Sequence, residues 1–339
     1  AGRRERQPGV AQLPMTSSMR AAVVTAATGP GAVEILEVPA PTSRAGELLV
    51  AVEAVGVSFP DLLLSQGRYQ VRPEPPFVLG LDFAGTALTA APGLVEGQRV
   101  AGIVSHGAAA ERVCAPANLV FPLPDSFTYD EGAALPLNYL TAHFALVHRG
   151  QLRAGETVLV HGAAGGVGTA TVQLSHALGA RVIAVVSTEE KAAFARAHGA
   201  DEAVLATDFK EQVADLTGGR GVDLIVDVVG GDQFTDSLRS LAPLGRLLVV
   251  GFAAGTGIPE VRVNRLLLGN IDVRGVGWGA YALTTPGFVQ QQWRDLMELM
   301  ERHAIKPPIG TSYALAQFAQ ALTDLDERRG IGKSIVKLS

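Results

Sequence analysis

The sequence has a single cysteine, Cys114, among its 339 residues, so it can form neither an intramolecular disulfide nor a multi-cysteine zinc site. Such low cysteine usage predicts a cytoplasmic protein. Charged residues make up only 18% of the chain and the formal net charge is -5, so no nucleic acid is expected as a partner. No apolar run reaches the ~18–20 residues that span a bilayer, so no membrane partner is expected.

Glycine is abundant, at 39 residues, and apolar residues make up 47% of the chain. A chain of this length is expected to fold into two domains. Its first 18 residues carry arginines but no apolar segment, which argues against a secretory signal. We therefore interpret residues 1–18 as a leader or a disordered extension.

The first third of the chain is typical of a β-rich unit. Short apolar runs are separated by turn signals and show almost no long helical period, which predicts a barrel-like arrangement. These runs lie at residues 20–27, 48–57, 84–90, 98–104 and 111–115. A helical period then extends from residue 130 to a stop at Gly150.

Strands and helices alternate in the following segment. This alternation indicates βαβ units and a parallel, doubly wound sheet. The predicted strands are 157–161, 181–186, 203–205, 224–228, 247–250 and 272–276. Two further helices and a last strand, 333–338, are expected to return to the first unit.

The segment 162-GAAGGVG-168 lies between the first of these strands and a helix. It departs from the strict dinucleotide fingerprint, but its βαβ context favours a phosphate-binding loop over a turn that only packs helix against strand. Glycines let the backbone approach a pyrophosphate, which the helix N-terminus attracts. A valine at Gly166 is expected to block that approach. The predicted loop residues are Gly162, Ala163, Ala164, Gly165, Gly166, Val167 and Gly168.

The end of the second strand carries hydroxyl groups where NAD enzymes usually have a carboxylate. Ser187 and Thr188 occupy this place, and Lys191 follows one turn later. Hydroxyls and a lysine would bind a 2′-phosphate, whereas a carboxylate would repel it. The predicted cofactor is therefore NADPH; the alternative for Lys191 is a solvated helix lysine.

Several ordered motifs together resemble the medium-chain dehydrogenase/reductase superfamily, and within it the zeta-crystallin-like quinone oxidoreductases. The resemblance covers the chain from Met19 onward. Its motifs are 55-VGVSFPDLLLSQGRYQ-70, 76-PFVLGLDFAGT-86, 97-GQRVAG-102, 107-GAAAERVCAPANLVFPLP-124, the glycine loop and 219-GRGVDLIVDVVGG-231. It implies an α/β fold with a GroES-like β-barrel-type catalytic domain (19–138 and 280–339) and a Rossmann NADPH-binding domain (139–279). It also implies a homodimer.

The zinc members of this superfamily carry a Gly-His-Glu motif and a four-cysteine lobe. Here 80-GLD-82 stands in place of Gly-His-Glu, and no cysteine cluster exists. The closest histidine pair, His143 and His148, is five residues apart, which on an α-helix means different faces. No metal site is predicted, and hydride delivery to an electron-poor acceptor is the chemistry that needs no Lewis acid.

The resemblance also implies site residues, position by position. The family pattern Asn-x-x-Asp-x-Tyr reads 58-SFPDLL-63 here, so Asp61 matches, Ser58 replaces Asn and Leu63 replaces Tyr. The catalytic candidates are Asp61, which could instead cap its loop, Ser58, and the nearby phenol of Tyr69. The cofactor candidates from the resemblance are Thr141, Phe252, Asn264, Lys191 and Arg328.

Three functions remain open at this level. The leading hypothesis is NADPH-dependent reduction of a quinone or another small electron-poor acceptor in an interdomain cleft. The second is reduction of the activated double bond of an enal, enone or enoyl thioester, which needs a proton from solvent or from a residue such as Tyr69. The third is a non-catalytic NADPH-binding protein with a structural or RNA-associated role.

Overall fold

The computed structural model describes residues 18–338, so residues 1–17 of the sequence-predicted leader lie outside the described residues. The strands are β1 Ser18–Val24, β2 Val33–Pro39, β3 Glu47–Gly56, β4 Phe77–Val78, β5 Asp82–Ala87, β6 Arg99–Ile103, β7 Arg112–Pro116, β8 Val120–Pro122, β9 Thr157–His161, β10 Arg181–Val186, β11 Glu202–Leu205, β12 Val222–Asp227, β13 Leu241–Val249, β14 Asp272–Gly275, β15 Ile309–Ala314 and β16 Lys333–Lys337. The α-helices are α1 Phe59–Ser65, α2 Tyr129–Ala134, α3 Pro136–His143, α4 Gly166–Ala177, α5 Glu189–Ala197, α6 Phe209–Leu216, α7 Phe234–Arg239, α8 Asn264–Gly269, α9 Trp278–Ala282, α10 Phe288–Arg302 and α11 Phe318–Asp326.

Six parallel strands form one sheet in the order β11-β10-β9-β12-β13-β14. Residues on β9 alternate between its two faces. Val158 and Val160 belong to the apolar cluster that includes α4, while Leu159 belongs to a second cluster with α6 and α7. Helices cover both faces, so the sequence prediction of a doubly wound Rossmann sheet is confirmed.

A second, seven-stranded sheet has the main order β15-β16-β3-β5-β6-β8, with β7 also paired to β3. The C-terminal strand β16 pairs antiparallel with β3, and β15 pairs parallel with β16. A smaller sheet has the order β2-β1-β4. The predicted fold class, a GroES-like β unit with a Rossmann sheet, is confirmed, and the exact division of the chain at 138 and 280 stays a prediction.

The predicted helix from residue 130 to Gly150 is wrong as a single element. It is divided into α2, α3 and a π-helical segment, Phe144–Arg149. Pro136 starts α3, because proline lacks the N–H that an inner helical position needs and is tolerated in a first turn. Strand β2 and helix α1 were also missing from the sequence prediction.

The prediction that His143 and His148 lie on different helix faces is wrong. Their ring centroids are 6.0 Å apart. The cause is the π-helical segment, because a π-helix makes i→i+5 hydrogen bonds and so aligns residues five apart. The pKa of His143 is lowered from 6.5 to about 4, mainly by burial; the charge of His148 contributes to this lowering, and Asp295 opposes it.

This lowered pKa predicts acid sensitivity. Between pH 6.5, the ordinary pKa, and about 4, the unfolded chain binds a proton at His143 that the folded chain does not. Stability is therefore lost as the pH falls through this window, by about 2 kcal/mol at pH 5. In urea unfolding at pH 7 and pH 5, we expect His143→Gln to lose less stability on acidification than the wild type. An equal loss would show that His143 does not carry the effect.

Candidate active site

The glycine loop joins β9, which ends at His161, to α4, which begins at Gly166. Gly162 has a positive φ of 62°, and the N–H of Gly165 donates to its carbonyl at 3.0 Å. The N–H of Ala163 donates to Val185 O on the neighbouring strand at 3.3 Å. The loop is thereby fixed at the carboxyl ends of β9 and β10. The first N–H groups of α4, as at any helix start, have no intrahelical partner and point toward the loop.

The glycines of this loop have different roles. A Cβ at Gly168 would overlap the backbone of Gly162 and Ala163, so Gly168 packs the helix against the strand. A Cβ at Gly166 would lie 2.6 Å from the Asn138 amide nitrogen, so a side chain there would meet helix α3; the predicted role of Gly166 at the pyrophosphate stays a prediction. A Cβ at Gly165 would meet only Gly162 O, at 3.4 Å, and Gly165 is exposed. The open side of the loop is therefore at Gly165.

Residues predicted to bind the 2′-phosphate lie together beyond β10. Lys191 Nζ donates to Arg328 O at 2.7 Å, although 137 residues separate the two positions. The Arg328 guanidinium donates to the carbonyls of Ala253 and Ala254 at 2.9 and 2.8 Å. Burial lowers the pKa of Lys191, and the charge of Arg328 lowers it further. An anion between these two cations would relieve their repulsion.

The hydroxyls at the end of β10 are not equivalent. Thr188 is the N-cap of α5, where its side chain accepts the N–H of Lys191 at 3.2 Å. It therefore has a structural task of its own. Ser187 is exposed and follows directly after β10, so it remains the better-placed hydroxyl for a ribose phosphate.

The remaining cofactor candidates lie on three separate elements. Thr141 is buried on α3, one turn beyond Asn138, where α3 packs against α4. Phe252 follows β13, and its ring would lie 3.0 Å from a Cβ at Gly230. Asn264 is exposed at the start of α8. The helix of Thr141 packs against α4, and Phe252 precedes the Ala253 and Ala254 carbonyls that Arg328 contacts, but Asn264 is joined to neither by a hydrogen bond among residues 18–338.

Asp61 and Ser58 are buried at the start of α1. Asp61 accepts the N–H groups of Ser58 and Gly80 at 2.9 and 3.0 Å, so it caps the helix and fixes the loop before β5. The pKa of Asp61 is raised to about 7, mainly by burial and also by the charge of Asp82; these N–H groups and the charge of Lys333 partly oppose the rise. The capping alternative for Asp61 agrees with this geometry, and a catalytic role for either residue stays a prediction.

Sequence reasoning missed Lys333, whose ammonium is buried beside Ser58. It donates to Ser58 Oγ at 2.6 Å and to Asp82 Oδ2 at 3.0 Å, and Ser58 Oγ itself donates to Asp82 Oδ2 at 2.9 Å. Two signals were present: Asp82 interrupts an apolar run, and Lys333 shares the inward face of β16 with Ile335. Their pairing was not visible, because 251 residues separate them.

Tyr69 lies partly buried near this group. Burial raises the pKa of its phenol, and the charges of Asp61 and Asp82 raise it further. The phenol therefore stays protonated at neutral pH and can donate a hydrogen bond.

The buried group around Lys333 is connected to the glycine loop by two short paths. The N–H of Gly332, the residue before Lys333, donates to Ala164 O at 2.9 Å. Asp82 Oδ1 accepts the N–H of Leu137 at 2.9 Å, and Leu137 precedes Asn138, which contacts Gly166. The predicted acceptor site and the predicted cofactor loop are therefore neighbours.

Within residues 18–338, no three His, Cys, Asp or Glu side chains are grouped so that they could hold a metal ion. The helices of this same range include none with the length and apolar character needed to cross a membrane.

A Rossmann sheet with a glycine loop, next to a GroES-like sheet and a buried polar group, defines the class of medium-chain dehydrogenases/reductases. Two family descriptions agree with this assignment. Residues 44–125 match the alcohol dehydrogenase GroES-like domain, and residues 166–302 match the zinc-binding dehydrogenase family.

Comparison with individual relatives identifies the family within this superfamily. Quinone oxidoreductase-like protein 2 of Bos taurus is 37% identical over 298 residues, covering 86% of this chain and 85% of its own. Quinone oxidoreductase of Rattus norvegicus is 32% identical and covers 89% of this chain and 91% of its own. The chain therefore belongs to the quinone oxidoreductase family of medium-chain dehydrogenases/reductases.

Comparison with solved structures supports the same family assignment. The mycobacterial protein Rv1454c, solved in complex with NADPH, has a TM-score of 0.88 and 36% identity, with 95% of this chain and 100% of that chain covered. The quinone oxidoreductase of Thermus thermophilus, also solved with NADPH, has a TM-score of 0.83 and 36% identity, with 94% of this chain and 100% of that chain covered.

Proposed function

We propose that this chain is an NADPH-dependent reductase of quinones that works without zinc. The observation that carries the proposal is the glycine loop, whose open side at Gly165 faces the start of α4. Relatives named quinone oxidoreductase and structural neighbours solved with NADPH support it. The metal-free part is supported by Asp82, whose two oxygens already accept hydrogen bonds from Ser58, Lys333 and Leu137.

Residues at the carboxyl edge of the Rossmann sheet would hold the cofactor. Gly165 and the first turn of α4 would receive the pyrophosphate, and Ser187, Lys191 and Arg328 the 2′-phosphate. Thr141 and Phe252 would flank the nicotinamide. NADPH, when bound, supplies a hydride; the chain binds and orients the acceptor and excludes water around it.

The 2′-phosphate assignment predicts a change in cofactor preference. Lys191→Ala should weaken NADPH binding by about 1–2 kcal/mol, because a charge-assisted hydrogen bond is lost. NADH, which lacks the phosphate, should bind as before. Fluorescence titration of both cofactors tests this, with Lys210→Ala as the control, since Lys210 pairs with Glu211 and Asp236 on the surface. Equal losses for NADPH and NADH would reject the role of Lys191.

A second candidate function is reduction of an activated double bond. The observation that favours it is the Tyr69 phenol, which stays protonated and could supply the proton that this reaction needs at the α-carbon. Tyr69→Phe should then reduce turnover of enals more than turnover of quinones.

One acceptor panel separates the candidates. NADPH oxidation is measured on a single protein sample with several quinones, crotonaldehyde and an enoyl thioester. Quinones that react much faster than the other two support the proposal, and faster enals or thioesters favour the second candidate. Tight NADPH binding with no turnover of any acceptor would instead favour a non-catalytic NADPH-binding protein.

We also propose that the protein forms a homodimer through the β14 edge of the Rossmann sheet. Four apolar side chains near this edge are 74–81% exposed: Leu244, Val263, Leu267 and Leu268. A second copy would cover them. Light scattering at micromolar concentration should give a dimer mass, and Leu267→Glu should shift it to the monomer; a wild-type monomer would contradict the proposal. The cytoplasmic location stays a prediction.

A further inference from the structure

Lys333 is a buried cation with unused hydrogen-bonding capacity. Its side chain is 5% exposed, and that of Asp82 is fully buried. An ammonium has three N–H donors, and Lys333 directs two of them to Ser58 and Asp82. Ser58 has one hydroxyl proton, which it directs to Asp82. Ser58 therefore has no further proton to donate, whereas one N–H of Lys333 has no hydrogen-bond acceptor among residues 18–338.

A buried ion pair such as Lys333–Asp82 is an inefficient way to stabilise a fold. Removing two charges from water costs several kcal/mol per ion, so well-packed apolar side chains would often stabilise a core as well or better. The backbone also makes room for it, since a Cβ at Gly56 would lie 2.7 Å from Lys333 Cε. A buried charge in a site beside a cofactor loop is a candidate for chemistry.

Lys333 and Asp82 are both connected to the elements of the predicted cofactor site. Lys333 follows Gly332, which hydrogen bonds to Ala164 in the glycine loop. Asp82 accepts the N–H of Leu137 on α3, the helix that contacts Gly166 and carries Thr141. The ammonium is thus held where the seven-stranded sheet meets the loop.

We propose that Lys333 is the electrophile of the acceptor site: its third N–H binds a carbonyl oxygen of the acceptor and gives it a proton during reduction. This proposal rests on the proposed function. The acceptor gains a hydride from the nicotinamide of NADPH, which becomes NADP⁺, and the acceptor's π electrons move onto the carbonyl oxygen. That oxygen takes a proton from the Lys333 ammonium, and the neutral amine regains one from solvent. Asp82 is a positioning residue that holds the ammonium.

The test needs a variant that can fold. Lys333→Met alone would leave the fully buried Asp82 without its cation, so Lys333→Met is combined with Asp82→Asn, which still accepts the N–H of Leu137. The wild type is the reference, because the double variant removes one cation and one anion together and so leaves no unpaired buried charge. The matched control is Lys337→Met on the same strand, since Lys337 is half exposed and pairs with Asp130 at 3.0 Å on the surface.

The first measurement is kcat for quinones of decreasing electron affinity. We expect the double variant to lose about 100- to 1,000-fold in kcat relative to the wild type, as when one oxyanion donor is removed. The loss should be largest for the weakest acceptors, which depend most on polarisation, and Lys337→Met should match the wild type. A single common factor for all acceptors would indicate a structural defect and would overturn the proposal, as would an unchanged kcat.

The second measurement does not depend on turnover. 4-Nitrophenol bound to the NADP⁺ complex resembles the oxygen anion of a reduced acceptor, and its phenolate is coloured. Bound probe should ionise at lower pH in the wild type than in the double variant, because the ammonium stabilises the phenolate. Identical titrations would overturn the role of Lys333. If instead the wild type does not oxidise NADPH with any quinone, the proposed function itself fails.

Discussion

Gly165→Val is expected to abolish NADPH binding while leaving the fold intact. Gly165 has φ -90° and ψ 177°, a conformation that any residue can adopt, so a valine introduces no backbone strain. Its side chain would occupy the open space before the first turn of α4, where the pyrophosphate is proposed to lie. We expect the Kd for NADPH to rise by at least about 100-fold. The melting temperature without cofactor should change by less than about 4 °C.

Gly168→Ala supplies the contrast within the same loop. A Cβ there would overlap the backbone of Gly162 and Ala163, so the helix must move away from the strand and the melting temperature should fall together with cofactor affinity. Fluorescence titration and thermal unfolding of both variants distinguish the two roles. If Gly165→Val binds NADPH like the wild type, the loop only packs α4 against the sheet and the proposed cofactor site is wrong.

Arg246→Met is expected to destabilise the protein by about 3–5 kcal/mol. The buried Arg246 guanidinium donates to both oxygens of Glu156 at 2.8 and 2.7 Å, and to the carbonyls of Gly150 and Asp223 at 2.8 and 3.0 Å. Burial would raise the pKa of Glu156, but these hydrogen bonds from Arg246 help to lower it overall. The substitution leaves the carboxylate and the carbonyls without their donor.

Urea unfolding at pH 7 measures this loss. The control is Arg239→Met, because Arg239 is half exposed and pairs with Asp236 at the surface at 2.9 Å, where such a pair contributes less than about 1 kcal/mol. Equal effects of the two substitutions would show that the Arg246 network does not hold β13 to the start of β9.

The Rossmann half could be predicted closely from the sequence. Strands β9 and β10 agree with their predicted bounds, because buried parallel strands give strong local signals. The β-rich half was predicted in outline, since most of its strands give short apolar runs. Strand β2 was missed because it lies at a sheet edge and is largely exposed, which weakens its apolar signal.

The site could be predicted only in part, and for a physical reason. The glycine loop is local in sequence, so its place before α4 followed from the order of elements. The Lys333–Asp82 pair and the contact between Gly166 and Asn138 join distant segments, and only the three-dimensional fold brings them together. The contact between His143 and His148 depends on a π-helical turn that no residue pattern indicated.

The central claim is metal-free, NADPH-dependent reduction of a quinone. It is tested most directly by anaerobic oxidation of NADPH with one quinone, using protein dialysed against a chelator. We expect one hydroquinone for each NADPH consumed, the same rate with and without chelator, and a rate with subsaturating NADH lower by about tenfold, because NADH lacks the phosphate contact. The account would be contradicted by NADPH oxidation that is no faster than the background rate. It would also be contradicted by activity that returns only when zinc is added.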